Sequence, residues 1–385
     1  MSESLTQVQF CGPEGEVNVP TPEGQLRVFR RGETIFVSTD FAKRLERKHN
    51  FIVGDQRLCV LLNSLRKGSR KKVLIWRSYA LGDLLMLHTV LRRLRNCYPQ
   101  LDLYLMTSEA YHEPFTDTPV FTLARPGDRQ YDHKIQLDGV VEVDHTGHNG
   151  ARIHRAEIFW RALMDGIPNA PRLMPEDWYL QLPKESRDKA NKYITARGLA
   201  RGVRERPLIG FQVKGSGPKK TFPFEEVRKF VSLLVERGFD VFLIERDQGC
   251  VWQGNHVYSM PNVLTSQMIA LCNCLDAMVV MDSGPLWFSH VTERPVPIVC
   301  FLGPTRPTER INYHPLWNEG GAVAIRCNER VNLNGTVGCP SCFEKEERCG
   351  GTTACLRGVR AEDYIQELET KLRDVIGVGK RVYGA

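Results

Sequence analysis

One arrangement constrains this chain more than any other. A short apolar run leads into a glycine-bearing turn, and a segment with apolar residues at helical spacing follows. The clearest instance runs from Val73-Leu74-Ile75-Trp76 through Arg77-Ser-Tyr-Ala-Leu-Gly-Asp83 into Leu84–Leu94. A short buried strand, a tight turn and a helix start place ligands at the carboxyl ends of strands in α/β layers. Gly82 is expected to let the backbone turn tightly. Asp83 falls in the first helical turn, where a carboxylate is favoured electrostatically. Read locally, it is a helix cap. The same position points into the crevice above a sheet, where a general base could stand.

The pattern recurs in two blocks. From Lys72, strand 73–76 leads to helix 83–96, and Leu101–Met106 is the next strand after Pro99. Ile135–Val143 reads as short strands, Ile153–Met164 as an amphipathic helix and Lys184–Arg197 as a charged helix. A second block starts at Pro207, with strands at 208–213, 241–244, 277–281 and 296–302 and helices at 224–237, 266–275 and 361–375. Two α/β layers in tandem make two lobes with a cleft between them. The expected division is residues 1–70, 71–205 and 206–385. Residues 1–70 form a small β-rich extension. In it, Leu26–Arg30 and Thr34–Ser38 read as strands joined around Gly32, followed by a basic helix from Phe41 to His49. A chain of 385 residues is long enough for two cores.

The net charge of +7 suits an anionic ligand such as a diphosphate, an acidic glycolipid or nucleic acid, and selects none of them. No apolar run approaches a bilayer span, and Met1–Phe10 carries no signal-peptide pattern, so a cytoplasmic location is expected.

Three further stretches carry chemistry. Lys214-Gly-Ser-Gly-Pro-Lys-Lys-Thr-Phe-Pro223 follows a strand and offers glycine-freed amides and lysines to phosphate oxygens. A solvated basic loop fits it equally well, and its register is not that of a Walker loop. Asp282-Ser283-Gly284-Pro285 lies between an apolar strand and a helix. The amides of Ser283 and Gly284 are expected to face an anion there, with Asp282 accepting from a ligand hydroxyl. Helix capping by Asp282 or Ser283 is compatible with that. His290 reads as a packed or capping histidine. Twelve cysteines include Cys339, Cys342, Cys349 and Cys355 in one turn-rich stretch, 338–356. Four thiols at this spacing fit a closed tetrahedral site for structural zinc, or for iron.

In order, these pieces resemble glycosyltransferase family 9, the heptosyltransferase-like enzymes. The strand with Leu-Gly-Asp comes first, then the lysine loop ending in Phe-Pro, then Asp-Ser-Gly-Pro, then Gly-Pro-Thr, then paired cysteines. The resemblance covers residues 72–376, and the cysteine loop is similar to that of the branch that glycosylates autotransporter proteins. It implies a GT-B fold: two Rossmann-like, doubly wound domains facing across a cleft. Asp83 then matches the general base and Lys220 the donor-phosphate lysine, with Lys214 in the same loop. Asp282, Ser283 and Gly284 match the diphosphate and sugar loop, and Thr305 the turn bordering the nucleotide. Trp287 departs from the pattern, standing where many members have histidine.

The implied activity is inverting, metal-ion-independent transfer of heptose or a similar sugar. The donor is a nucleotide-diphosphate sugar, ADP-heptose-like or other, and the acceptor a hydroxyl on a glycan, lipid-linked glycan or protein. No Mg²⁺ is expected, because the sequence has no acidic metal pair such as Asp-x-Asp. Two rivals remain: the same chemistry on modified DNA bases, and a non-catalytic nucleotide-binding protein.

Overall fold

The computed structural model describes residues 5–10, 16–21, 24–30, 34–46, 51–53, 58–64, 69–125, 131–138, 140, 153–165, 167, 169–215, 217, 220–245, 247–260, 262–303, 305–330, 332–333, 336–337 and 354–384. The first part holds strands β1 (Leu5–Phe10), β2 (Glu16–Pro20), β3 (Leu26–Arg30) and β4 (Thr34–Ser38), helix α1 (Thr39–Glu46), strand β5 (Phe51–Val53) and helix α2 (Leu58–Ser64). Here the expected hairpin is corrected. β3 pairs antiparallel with β2, while β4 pairs with β1 in a sheet ordered β4-β1-β5. Both strands exist where the apolar alternation puts them. Their partners follow from which faces meet: Val8, Val19, Phe29, Val37, Phe41 and Leu45 close a small core of their own. Leu58 and Leu61 of α2 join the core of the next lobe and tie the extension to it.

The first lobe is built on β6 (Lys71–Trp76), α3 (Leu81–Cys97), β7 (Leu101–Met106), β8 (Thr122–Leu123), β9 (His133–Gln136) and α4 (Arg155–Met164). Its sheet is parallel, ordered β8-β7-β6-β9. Successive residues of β6 serve opposite faces, as the two-residue period of a strand requires. Val73 and Ile75 enter the main core, and Leu74 and Trp76 a second cluster with Tyr104 and Met106. That is why the strand reads as an unbroken apolar run. The strand expected over Ile135–Val143 is seen as His133–Gln136, and residues 139 and 141–152 lie outside those described.

The chain then runs through α5 (Lys184–Ala196), β10 (Leu208–Gln212), α6 (Phe224–Glu236), β11 (Asp240–Ile244), β12 (Val257–Tyr258), α7 (Thr265–Cys272), β13 (Ala277–Met281), α8 (Gly284–Val291), β14 (Ile298–Leu302), β15 (Ala322–Arg326) and α9 (Ala361–Tyr383). The second sheet is parallel, ordered β12-β11-β10-β13-β14-β15. With β10 as first strand this is the 3-2-1-4-5-6 order of the dinucleotide-binding fold, whose ligands sit where the order reverses. The reversal lies between β10 and β13. In the first sheet it lies between β6 and β9. Each stretch singled out in the sequence therefore leaves its sheet at a switch point: Arg77–Asp83 after β6, Lys214–Lys220 after β10, and Asp282–Gly284 after β13.

Helix α5 was grouped with the first lobe by sequence order. It packs instead on α7 of the second lobe, and the Tyr193 hydroxyl donates to the Ser259 carbonyl at 2.7 Å. Helix α9 continues past the expected end at Val375 to Tyr383. Gly379 blurs the apolar stripe there because it packs on Pro297, which a Cβ would approach to 2.9 Å.

Candidate active site

A cavity of about 500 Å³ opens between the carboxyl ends of the two sheets. Its wall carries Gly82, Asp83 and Arg155 from the first lobe, and Lys214, Lys220, Asp282, Ser283 and Gly284 from the second. The sequence-derived base and the sequence-derived donor loops thus border one space. Thr305 does not. It is 1% exposed, three residues past the end of β14, and is not among the residues that line this cavity.

The turn before Asp83 forms differently from expectation. The left-handed residue is Ala80, with φ of 70°, one position before α3 begins. Gly82 is already helical. It is glycine because the Trp287 indole lies against it: a Cβ would come within 2.6 Å of Trp287 Cδ1. This contact joins α3 to α8 and closes the floor of the cleft.

Asp83 is buried and held on both oxygens. Oδ2 is paired to Arg77 and Oδ1 to Arg155 at 3.3 Å. Arg77 is 1% exposed. It also donates to the Leu137 carbonyl at 3.3 Å and lies 3.8 Å from Asp138, so it stitches the loop after β6 to the loop after β9. Arg155 opens α4, whose N-cap is His154: the His154 Nδ1 accepts from the Ala156 amide at 3.2 Å. None of these three arginine and histidine roles was read from the sequence. Arg155 meets Asp83 across 72 residues and so leaves no local pattern.

The second lobe repeats the arrangement. Asp282 is buried, with Oδ1 taking a 2.5 Å bond from Arg310 Nε and Oδ2 lying 3.7 Å from Lys220 Nζ. Burial pushes the Asp282 carboxyl up. The neighbouring Arg310, Lys220 and Arg155 outweigh that and hold it well below the usual carboxylate range. Burial pushes the Lys220 ammonium down; Asp282 opposes this, while Arg310 and Arg155 add to it. A cation so placed gains from an anionic ligand.

Lys220 is aimed by its own loop. The Lys220 amide donates to the Gly217 carbonyl at 2.9 Å, and the Gly215 amide donates to Thr221 Oγ1 at 3.0 Å. Gly215 has no room for a side chain, since a Cβ would lie 1.9 Å from the Lys220 carbonyl oxygen. Two expectations about free amides are corrected here. The Gly215 amide is used by Thr221, and the Ser283 amide donates to the Met281 carbonyl at 2.7 Å. The lysine loop and the 283–284 turn are ordered by these bonds, which leaves fewer amides for an anion. Lys214 reaches the cavity, with Nζ 3.8 Å from Asp247.

Beneath the cavity the lobes meet through an aromatic and histidine layer. His154 donates from Nε2 to the Arg310 carbonyl at 3.2 Å, and its ring packs against Trp178, Trp287 and Tyr313. His290 is packed, as expected, between Trp178, Trp287 and His314. At the edge, Glu113 accepts from both the amide and hydroxyl of Ser266 across the lobes.

Of the four expected metal ligands, Cys339, Cys342 and Cys349 lie outside the described residues. Cys355 is buried in the second lobe's core, its Sγ 3.0 Å from where a Cβ on Gly303 would stand. Among the described residues no group of three metal-binding side chains occurs.

Two doubly wound parallel sheets facing one charged cleft define a GT-B type of architecture, that of nucleotide-sugar glycosyltransferases. The model described as glycosyltransferase family 9 (heptosyltransferase) matches residues 169–351, just under half of the chain, and the chain is a glycosyltransferase. A glycosyltransferase family 9 structure from Veillonella parvula is similar at TM-score 0.56 and 15% identity, covering 81% of this chain and 100% of that one. The Escherichia coli ADP-heptose lps heptosyltransferase II gives 0.54 and 18%, covering 79% and 99%. The iron-containing dodecameric glycosyltransferase TibC of enterotoxigenic E. coli, in a complex with ADP-D-β-D-heptose, gives 0.54 and 14%, covering 98% and 93%. No curated protein matches the sequence. No helix among the described residues is long and apolar enough to cross a membrane.

Two predictions arise from this geometry. Gly215→Ala forces the lysine loop apart. Titration with inorganic pyrophosphate should then show binding weakened roughly 10- to 100-fold, the cost of losing a charged hydrogen bond, with the melting temperature little changed. Burial pushes His88, His154 and His314 down to about 3, and His290 well below its ordinary value. The unfolded chain therefore binds more protons than the folded one below about pH 6.5. Stability is complete above that pH and falls as pH drops from about 6.5 towards 3, by up to about 1.4 kcal/mol per pH unit for each histidine. Melting temperatures measured from pH 7.5 to 5 should decline steeply. His88→Gln, away from the cleft, should remove one proton from the slope.

Proposed function

We propose that this chain transfers a heptose, or a closely similar sugar, from a nucleoside-diphosphate donor to an acceptor hydroxyl, with inversion and without a catalytic metal ion. The observation that carries the reading is the pairing of Asp83 on the first lobe with Lys220 and Asp282 on the second around one cavity. The family domain and the likeness to TibC, crystallised with ADP-D-β-D-heptose, support a heptose donor with an adenine nucleotide. The acceptor is a glycan, a lipid-linked glycan or a protein.

The donor's diphosphate sits against Lys220, with Lys214 at the rim and the start of α8 beneath it. Cations and the helix's N-terminal partial charge stabilise the negative charge that builds on the leaving group. The acceptor enters from the first lobe. Its oxygen bonds to the anomeric carbon as its proton passes to Asp83, and the carbon–oxygen bond to the diphosphate breaks on the opposite face. Attack and departure from opposite faces invert the configuration. Asp282, fixed by Arg310, orients Lys220 and borders the sugar. Trp287 over Gly82 and the Glu113–Ser266 bonds hold the lobes together around the reactants, which limits hydrolysis of the donor by water.

The four-cysteine stretch is proposed to bind one structural metal ion, zinc or iron, through Cys339, Cys342, Cys349 and Cys355. The thiol chemistry of the set supports it, and TibC is iron-containing. Such a site would fix the loop and supply no step of the transfer.

Asp83→Asn should lower transfer from ADP-heptose by about 10²- to 10⁴-fold, the usual contribution of a general base, while the donor still raises the melting temperature. A normal rate in that variant would remove Asp83 as the base. Lys220→Ala should weaken ADP binding and slow transfer by about 10²-fold or more. Elemental analysis of protein purified under reducing conditions should find about one zinc or iron per chain, the stoichiometry of a closed four-thiolate site. Finding neither would refute the metal.

A further inference from the structure

The cavity has charged groups on both lobes, but the largest side chain that joins the two walls is neutral. Trp287 lines the cavity and is 3% exposed. It lies three residues beyond Gly284, so the two share one face of α8. On the other side its ring rests on Gly82, the neighbour of Asp83. A Cβ on Gly82 would stand 2.6 Å from Trp287 Cδ1 and 2.7 Å from Nε1. The edge of the indole that carries the N–H is therefore the edge turned to the first lobe. Trp178 stacks along the ring with 6.4 Å between centroids, and His154 and His290 lie against it at 5.4 and 5.1 Å. These contacts hold the ring in place and so fix the direction of its N–H.

A buried indole N–H ordinarily has an acceptor. Trp76 donates to Ser78 Oγ at 3.1 Å, and Trp160 donates to the Pro171 carbonyl at 2.7 Å. Trp287 Nε1 has no acceptor among the described residues, and it is not one of the fully enclosed polar atoms left without a partner. It therefore opens to the cavity that Trp287 lines. We propose that this N–H donates to a hydroxyl oxygen of the transferred sugar, which makes Trp287 a residue that selects the sugar. This rests on the nucleoside-diphosphate-sugar reading of the cleft and adds a specificity-determining residue to it.

Position decides which part of the donor the N–H meets. The anomeric carbon has to lie between an acceptor oxygen at Asp83 and a diphosphate at Lys220. Trp287 spans that interval, touching Gly82 on one side and belonging to the helix that starts at Gly284 on the other. The sugar is the part of the donor that fills it. The chemistry of the group agrees. An indole N–H is a donor only and carries no charge. It takes no proton, so it does not compete with Asp83. A diphosphate is better served by cations, and Lys220 and Lys214 already stand on the wall for that. A sugar oxygen needs one aimed, neutral donor. Gly82 is part of the arrangement, because a side chain there would cover the N–H or displace the ring. A donor without an oxygen at this point would shut the N–H in with neither water nor partner, which costs affinity.

The test compares ADP with ADP-heptose on the full chain. Trp287→Phe keeps an aromatic ring and removes the N–H. In isothermal titration it should weaken ADP-heptose binding roughly 2- to 12-fold, the worth of one neutral hydrogen bond, and leave ADP affinity unchanged. NMR of the wild type labelled on its tryptophan nitrogens gives a second readout. The Trp287 N–H signal, identified by its absence from Trp287→Phe, should move downfield when ADP-heptose is added and stay in place with ADP. Equal loss of affinity for the two ligands, no loss for either, or an indole signal that ADP-heptose leaves unmoved overturns the proposal. If Trp287→Phe does not fold, Trp287→His identifies the signal instead, and the wild-type spectrum decides. A wild type that transfers heptose with this signal unmoved leaves the glycosyltransfer reading standing without Trp287 as a sugar contact. A wild type that binds neither ADP nor ADP-heptose removes the adenine-nucleotide heptose donor and this proposal together.

Discussion

A buried guanidinium at the carboxyl end of each sheet is the contact on which the cleft depends. Arg77 and Arg310 are almost wholly inaccessible, and each fixes one carboxylate at a strand switch point. Buried ion pairs add little net stability, because desolvation offsets their attraction, but losing one partner costs about 3–5 kcal/mol. Their value here is therefore geometric. Arg77 draws the loops after β6 and β9 together, and the Arg310 carbonyl receives the His154 ring across the lobe boundary. One residue thus fixes the loop after β6, and the other fixes both Asp282 and the seam between lobes.

The parts legible in the sequence are those in which local pattern and final position coincide. Val73–Trp76 is buried on both faces, so its composition announces a parallel strand, and Asp83 follows by counting. The same holds for the lysine loop after β10 and for Asp282 after β13. What escaped notice depends on partners far along the chain. Arg155 meets Asp83 across 72 residues. The pairing of Leu26–Arg30 with Glu16–Pro20 was missed because alternation marks a strand but not its neighbour. Gly303, just after β14, packs against Cys355 and Leu356 of the short helix Ala354–Arg357, a contact that no short motif records. The tight turn was assigned to Gly82 from its identity, whereas the backbone requirement falls on Ala80 and the glycine answers to Trp287.

The seam between the lobes is apolar and aromatic, yet it contains His154, His290 and His314. His154 and His314 are satisfied as neutral rings, whereas the buried His290 Nε2 has no partner among the described residues. His154 and His314 both accept a backbone amide at Nδ1 and donate from Nε2 to a carbonyl, and His290 lies against the Leu286 carbonyl. Imidazoles used this way act as small aromatic spacers with a polar tip at each end. They supply hydrogen bonds in a place where a phenyl ring would strand backbone groups. The lobes can therefore press closely together directly beneath the charged cavity with the His154 and His314 rings bonded at both nitrogens.

The Trp287 indole resting on Gly82 acts as a mechanical stop. It sets how near α3 and α8 can come, and so fixes the span between Asp83 and the Lys220–Asp282 cluster. Neither position can drift alone. A side chain at 82 demands a smaller ring at 287, and a smaller ring at 287 leaves a hole that either a bulkier neighbour or a narrower gap must fill. Among descendants of this chain, the two sites should change in step. Their joint state would then set the width of the cavity between the two sheets.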